Sequence, residues 1–251
     1  SNYSEWLILG GRGIDTALTY GDVIQQKVAR ALATTDVPRS DIFVTTKVPC
    51  CPLADSGKCK QPEYSGSIAQ DISKDIAILG KVDLLLLHWP CDTYQQTLDA
   101  YTALEAALTS GVTRAIGVSN FNASLLERLS KDIKVKPAVN QCGHSVGAHH
   151  LHNPKFGGDD LTVEYCAKHG ISYSAYSPLG GLNGLDIYKN PTVISIANVH
   201  KVSPAQVALK WLVQQNITVV TASNNSTYDS QDKDLFSFTL TKAEMKTLAA
   251  L

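Results

Sequence analysis

Four polar side chains close apolar runs or follow them closely. Asp15 and Tyr20 lie in GIDTALTYGD, Lys47 ends DIFVTTK, and His88 ends DLLLLH. Together these residue types suit one task, delivering a proton to a carbonyl oxygen as hydride reaches its carbon. An isolated tyrosine, with a pKa of about 10, is a slow acid at neutral pH, and a nearby ammonium stabilises its phenolate. Lys47 would supply that ammonium, and Asp15 would hold Lys47 by an ion pair. His88 would hydrogen-bond the substrate oxygen and orient it. Taken singly, each residue has a plainer reading. Asp15 is then a turn or cap residue, Tyr20 packs, Lys47 is a solvated strand end, and His88, beside Trp89 and Pro90, is a satisfied core histidine. The combination favours chemistry.

Such a quartet needs elements that carry distant residues to one point. Short β-rich runs alternate with helical patterns along the chain. The patterning predicts strands at 13–17, 42–47, 83–89, 115–119, 138–141, 171–176 and 218–222. It predicts helices near 22–34, 66–79, 95–110, 122–131, 160–169, 191–200 and 204–215, after a helix-like segment at 3–9. Ser203 reads as an N-cap with Pro204 at the first helical position. Strict alternation implies a parallel sheet. No G-x-G-x-x-G follows a strand and no P-loop occurs, so the phosphate-cradling motifs of open sheets are missing. Polar residues instead recur at strand C-termini: Asp15, Lys47, His88, Ser119-Asn120, Asn140-Gln141, Tyr176 and Ser223. A closed (β/α)8 TIM barrel gathers such ends on one rim, whereas an open sheet spreads them along a line. The expected architecture is therefore a single barrel domain over residues 1–251, with seven strands readable; either the first strand is lacking or the count is one short. Segments 49–67 and 143–160 read as long surface loops over the active rim.

Composition narrows the function classes. The 251 residues carry 22 Lys+Arg against 23 Asp+Glu, a net charge of −1, which offers nothing to attract nucleic acid or an anionic membrane. No apolar run approaches the roughly 20 residues of a membrane span. No C-x-x-C pair occurs among six cysteines, so reduced thiols in a cytoplasmic protein are expected, with a bridge inside the 50–59 segment as the alternative. The N-terminal SNYSEWLILGG has neither a basic start nor a long apolar core, so no signal peptide is expected. The sequons at Asn122, Asn224 and Asn225 read as chance matches or local turn chemistry. His149, His150 and His152 cluster, but no acidic or Cys ligand sits beside them at helical spacing, so a solvated loop is expected and no metal.

GIDTALTYGD, DIFVTTKV, DLLLLHWP, AIGVSNF, VNQ, AYSPLGG and SPAQVALKWLVQQ, in this order and from about residue 10 onward, resemble the successive signature segments of the aldo-keto reductase family. The resemblance implies a (β/α)8 barrel that binds a nicotinamide cofactor without a Rossmann fold. It implies Tyr20 as general acid in a tetrad with Asp15, Lys47 and His88. It implies that Ser119, Asn120 and Gln141 hold the nicotinamide carboxamide, that Tyr176 stacks on its ring, and that Ser177 and Leu179 line the pyrophosphate channel. Trp89 would contact the substrate. The residue chemistry agrees, since Asn, Gln and Ser match the donors and acceptors of a carboxamide, and an aromatic face presents one side of the ring.

The sequence departs from the family's pattern in several places. Where the family carries a Lys and an Arg for the 2′-phosphate of NADPH, this chain has Ala222 and Tyr228, leaving Ser223 and Asn224 as hydrogen-bonding residues. The expected cofactor is NADPH with its preference relaxed toward NADH. The family's N-terminal hairpin, first strand and C-terminal substrate loop find no counterpart in these 251 residues and are expected to be lacking from this sequence, and NQCGHSVGAHH lacks the family's Glu and His-Pro after Gln141. The expectation is an oxidoreductase, a monomer acting on a small-molecule carbonyl. Two alternatives are a catalytically silent nicotinamide-binding barrel serving as a sensor or regulatory subunit, and a hydrolase built on Asp15 and His88. No paired carboxylates at strand ends support the hydrolase.

Overall fold

Leu84–Leu87 is apolar on both faces, and a strand of that kind is stable only when helices cover it on one side and packed side chains on the other. The computed structural model, which describes residues 2–50, 67–149, 156–180 and 184–251, places it in such a setting. The chain divides into two compact units, Asn2–Asn140 and Gln141–Leu251.

The first unit begins with helix α1 (Tyr3–Ile8) and continues through β1 (Gly13–Asp15), α2 (Asp22–Thr34), β2 (Phe43–Val48), α3 (Ile68–Leu79), β3 (Val82–Leu87), α4 (Tyr94–Thr109), β4 (Thr113–Ser119) and α5 (Ala123–Leu129). Strands β1 to β4 pair in order and in parallel. Thr45 faces Leu84 and Lys47 faces Leu86, and in the next pair Leu86 faces Gly117. Every residue of β3 is buried. Parallel neighbours of this kind require a crossover, and each of α2, α3 and α4 supplies one. Reciprocal Ser67–Gln70 and Thr93–Gln96 capping boxes fix the starts of α3 and α4. At the opposite end of the strands from the quartet, the Asp83 carboxylate receives Arg39 and Arg114, both at 2.9 Å.

Strand β5 (Val139–Gly143) straddles the division between the units. The second unit then holds α6 (Asp160–His169), β6 (Ser172–Tyr176), α7 (Pro191–His200), α8 (Pro204–Val213), β7 (Thr218–Val220), α9 (Ser226–Lys233) and α10 (Lys242–Ala249). β6 and β7 pair in parallel, Tyr176 opposite Val220. Ser203 caps α8 with Pro204 at its first turn, as the sequence predicts. Two helices were not expected. α9 (STYDSQDK) has no apolar stripe for periodicity to detect, and α10 is announced only by its Thr241–Glu244 capping box. At two of the sequons, Asn122 and Asn225, the asparagine side chain caps a helix, α5 and α9 respectively.

Two expectations are corrected here. The cysteines are not all reduced. Cys50 and Cys91 form a disulfide with Cα atoms 5.2 Å apart, while Cys142 and Cys166 are buried free thiols. The reason is register. β2 and β3 are neighbours with Val48 facing Leu87, so the segments leaving them emerge side by side, although the two cysteines are 41 residues apart in sequence. The alternative bridge within 50–59 would use residues outside those described. The second correction is that His149 is not solvated. With His144, Ser145, Val146 and Ala148 it is buried, so the described start of the 143–160 segment belongs to the interior. His150 and His152 lie outside the described residues.

Candidate active site

The four chemistry-bearing residues of the quartet lie within the first unit. Asp15 ends β1, and Lys47 is the penultimate residue of β2. The Lys47 side chain is 1% exposed. Its Nζ donates to a carboxylate oxygen of Asp15 and, at 3.0 Å, to the carbonyl of Thr16. The same Nζ lies 3.5 Å from the Tyr20 hydroxyl oxygen. A buried ammonium is tolerated only when ionic and hydrogen-bonding partners replace its lost water, and these three contacts do so.

Tyr20 ends a 3-10 turn (Leu18–Tyr20). Gly21 follows at φ 91°, in the left-handed region, and this lets the chain leave the tyrosine and enter α2 at once. The ring is 49% exposed, so the phenol faces outward while its oxygen meets Lys47. The His88 backbone N–H donates to the Val48 carbonyl at 2.9 Å, which ties the residue after β3 to the end of β2. Its Nδ1 is 3.1 Å from the Thr19 hydroxyl, and its ring meets that of Tyr20 edge-on with centroids 6.1 Å apart. Asp15, Tyr20, Lys47 and His88 are therefore gathered as the sequence predicts.

Trp89 is buried with its ring 4.4 Å from that of His88, and its indole N–H donates to the Cys50 carbonyl at 2.9 Å. Asn120 has φ 65°, a conformation that costs energy and clusters at functional sites. Its amide donates to the His88 carbonyl at 2.9 Å and to Ser119 Oγ at 3.1 Å. Ser119 and Asn120 are not the cap of α5, which is Asn122. Sequence reading missed three features of this site. Thr19 is a hydroxyl of a common loop type. Tyr3 has no motif around it, yet burial raises its pKa above the ordinary tyrosine value, and the nearby Tyr20 and Asp15 add to the rise. The Cys50–Cys91 bridge depends on strand neighbours.

In the second unit Gln141 is buried in β5 and Tyr176 ends β6. A Cβ on Gly143 would stand 3.2 Å from Tyr176 Cε2, so glycine lets the ring lie close against the strand. Ser177 is exposed with φ 51°, and Leu179 is half-buried. After β7, Ser223 Oγ accepts the Asn225 N–H at 2.9 Å, and Asn224 is exposed. Ala222 and Tyr228 are exposed too, and residues 221–232 contain no Lys or Arg. Instead, Asp232 on α9 has its pKa raised to about 6 by burial, with Asp229 pushing the same way and a Thr221 hydrogen bond opposing.

Among the described residues no group of three or more His, Cys, Asp or Glu side chains could hold a metal ion. His149 Nδ1 instead meets Asp160 Oδ1 at 3.0 Å, and its ring packs against Trp211. His144 stacks on Trp211 with centroids 5.9 Å apart. Burial holds the His144 pKa down to about 4, and His149 adds to the effect while Asp160 opposes it. An unfolded histidine takes its proton near pH 6.5, so between pH 6.5 and 4 the unfolded chain binds more protons at this residue. His144 therefore contributes stability that is full above pH 6.5 and is lost as pH falls toward 4, about 3 kcal/mol in all. Asp71, Asp75 and Asp232, each raised to about 6, act in the opposite sense over the same window. The histidine's share is thus read as a difference. From pH 7.5 to 4, urea unfolding of the wild type should lose about 3 kcal/mol relative to His144→Leu. A difference that stays constant with pH would contradict this.

Comparison with known proteins places the chain clearly. Residues 5–251 match the model of the Aldo/keto reductase family. The chain is 34% identical over 253 residues to the 9,11-endoperoxide prostaglandin H2 reductase of Trypanosoma cruzi, covering all of this chain and 82% of that protein. An aldo-keto reductase enzyme from a Medee basin deep-sea metagenome library superposes with a TM-score of 0.84 at 31% identity, over 99% of this chain and 84% of its own. The Bombyx mori aldo-keto reductase, solved in complex with NADP, superposes with a TM-score of 0.79 at 27% identity, over 99% and 81%. The parallel strands and their crossover helices are accordingly those of a (β/α)8 barrel, of which the described residues supply seven strands.

Proposed function

This chain belongs to the aldo-keto reductase family, and we infer that it reduces an aldehyde or ketone to an alcohol with NAD(P)H, Tyr20 giving the proton. The observation that carries this reading is Lys47 Nζ standing 3.5 Å from the Tyr20 hydroxyl while paired to Asp15. The cofactor, when bound, supplies the hydride that reaches the carbonyl carbon. Tyr20 passes its proton to the carbonyl oxygen, and Lys47 faces the negative charge left on the phenol. His88, held by Thr19, and the buried Trp89 orient the substrate. The half-exposed phenol regains a proton from water.

The residues fit the nicotinamide end. Ser119, Asn120 and Gln141 offer donors and acceptors for a carboxamide, and Tyr176, laid against Gly143, offers a ring face. They do not fit a 2′-phosphate. Ala222 and Tyr228 provide no cation, and Asp229 and Asp232 bring negative charge to the same corner. NADH is therefore accepted alongside NADPH. Titration of tryptophan fluorescence should give dissociation constants for the two within about a hundredfold, and Ala222→Lys with Tyr228→Arg should tighten NADPH alone by roughly tenfold or more. A native preference for NADPH above a hundredfold would defeat this.

We take residues 1–251 as one domain, a monomer acting on a small-molecule carbonyl. Among the described residues no helix is long and apolar enough to cross a membrane. We place the enzyme in the cytoplasm, where the state of the Cys50–Cys91 pair follows the thiol poise of the compartment. Nicotinamide absorbance followed against a panel of aldehydes and ketones tests the activity. Carbonyl-dependent oxidation of the cofactor is the expected result, and binding without turnover on any carbonyl would point to a sensor instead.

A further inference from the structure

Behind the quartet lies a polar cluster that the chemistry above does not use. Adjacent residues of a strand point to opposite faces, so Thr46 points away from the side on which Lys47 works. Thr16, one residue past β1, Thr46 of β2, Gln25 of α2 and Asp75 of α3 are each fully buried. Hydrogen bonds join all four: Gln25, Thr46 and Asp75 close a ring, and Thr16 is tied to it through Gln25. Thr16 Oγ1 donates to Gln25 Oε1 at 2.5 Å, and Gln25 Nε2 donates to Asp75 Oδ1. Gln25 Nε2 also reaches Thr46 Oγ1 at 3.4 Å, and Thr46 Oγ1 donates to Asp75 Oδ2 at 2.5 Å. Apolar side chains of similar volume would pack there without desolvating a carboxyl group. The position of the ring explains its polarity. Thr16 and Thr46 are the chain neighbours of Asp15 and Lys47, and the Thr16 carbonyl itself accepts from Lys47 Nζ at 3.0 Å.

We propose that Asp75 is a positioning residue for proton delivery, setting Lys47 against Tyr20 through Thr16 and Thr46. The proposal rests on Tyr20 being the proton donor. Asp75 of α3 holds Thr46 directly and Thr16 through Gln25 of α2, and so fixes the ends of β1 and β2 relative to each other. The separation of Lys47 Nζ from the phenol oxygen follows from that relation. The carboxyl group is held without a cation in the ring. Asp71 of its own helix and Asp22 of α2 face it with like charge, and Lys74 is engaged by Asp22 at 3.3 Å.

The test is a steady-state pH series on Asp75→Asn, Thr46→Val, Thr46→Ser and Tyr20→Phe, with NADH affinity and melting temperature measured in parallel. Asp75→Asn and Thr46→Val should lower kcat about tenfold to a hundredfold with NADH affinity changed less than about threefold. In both, the alkaline limb of the kcat/KM profile should move to higher pH, because the ammonium no longer sits as close to the phenol. Thr46→Ser, which keeps the hydroxyl, should restore both readouts. If Asp75→Asn fails to fold, the Thr46 pair carries the test alone. A lowered melting temperature with an unmoved pH profile would overturn the proposal, as would a Thr46→Ser variant as impaired as Thr46→Val. Should Tyr20→Phe turn over normally, the functional reading fails; should it be inactive while the folded Asp75 and Thr46 variants behave as wild type, only the positioning role fails.

Discussion

Tyr20→Phe is expected to lower kcat by about a hundredfold to ten-thousandfold, the usual worth of a general acid, while NADH affinity changes by less than about twofold. The substitution removes one oxygen and nothing else. The ring is half-exposed, so no cavity opens and the melting temperature should hold. Lys47 loses only its 3.5 Å neighbour and keeps Asp15 and the Thr16 carbonyl, so the buried ammonium stays paired. The loss then falls on the chemical step, and kcat and kcat/KM drop together. Single-turnover measurement with saturating NADH and an aldehyde separates this from altered binding. A variant that retains more than a tenth of wild-type kcat would show that the proton comes from elsewhere.

The second large effect concerns the Cys50–Cys91 bridge. It closes a loop across a sequence separation of 41 residues. By chain entropy such a link is worth about 4 kcal/mol, because it removes open conformations from the unfolded ensemble. Urea unfolding of the wild type should therefore lose about that much stability when a dithiol reductant is added. A Cys50→Ser, Cys91→Ser variant should start at the lower value and ignore the reductant. The Trp89 indole donates to the Cys50 carbonyl, and Trp89 lies on His88, so loosening this rim should also raise KM for the carbonyl substrate. Equal midpoints with and without reductant would contradict the role of the bridge.

Much of this molecule is legible without coordinates. The all-apolar run Leu84–Leu87 suits a covered parallel strand, and the alternation around it follows from the periods of strand and helix. The quartet is legible because each member closes an apolar run or follows one closely, and a barrel brings such ends together. Those readings depend on residue type and local spacing, which the chain carries in itself. Other features depend on which elements become neighbours. α9 escaped detection because a surface helix without an apolar stripe leaves no periodic trace. His149 reads as solvated because no acidic or Cys ligand lies beside the histidines in sequence, yet Trp211, far along the chain, packs against it. Cys50 and Cys91 are paired by the β2–β3 register, and no spacing rule spans that distance. The buried cluster of Thr16, Gln25, Thr46 and Asp75 draws on four separate elements or turns, each ordinary in its own segment. Sequence alone determined the fold class and singled out the four residues that the structure gathers, since both are written in local pattern. Tertiary structure alone decided which groups are dry, bridged or held in place, since burial and contact belong to pairs of segments and not to either one.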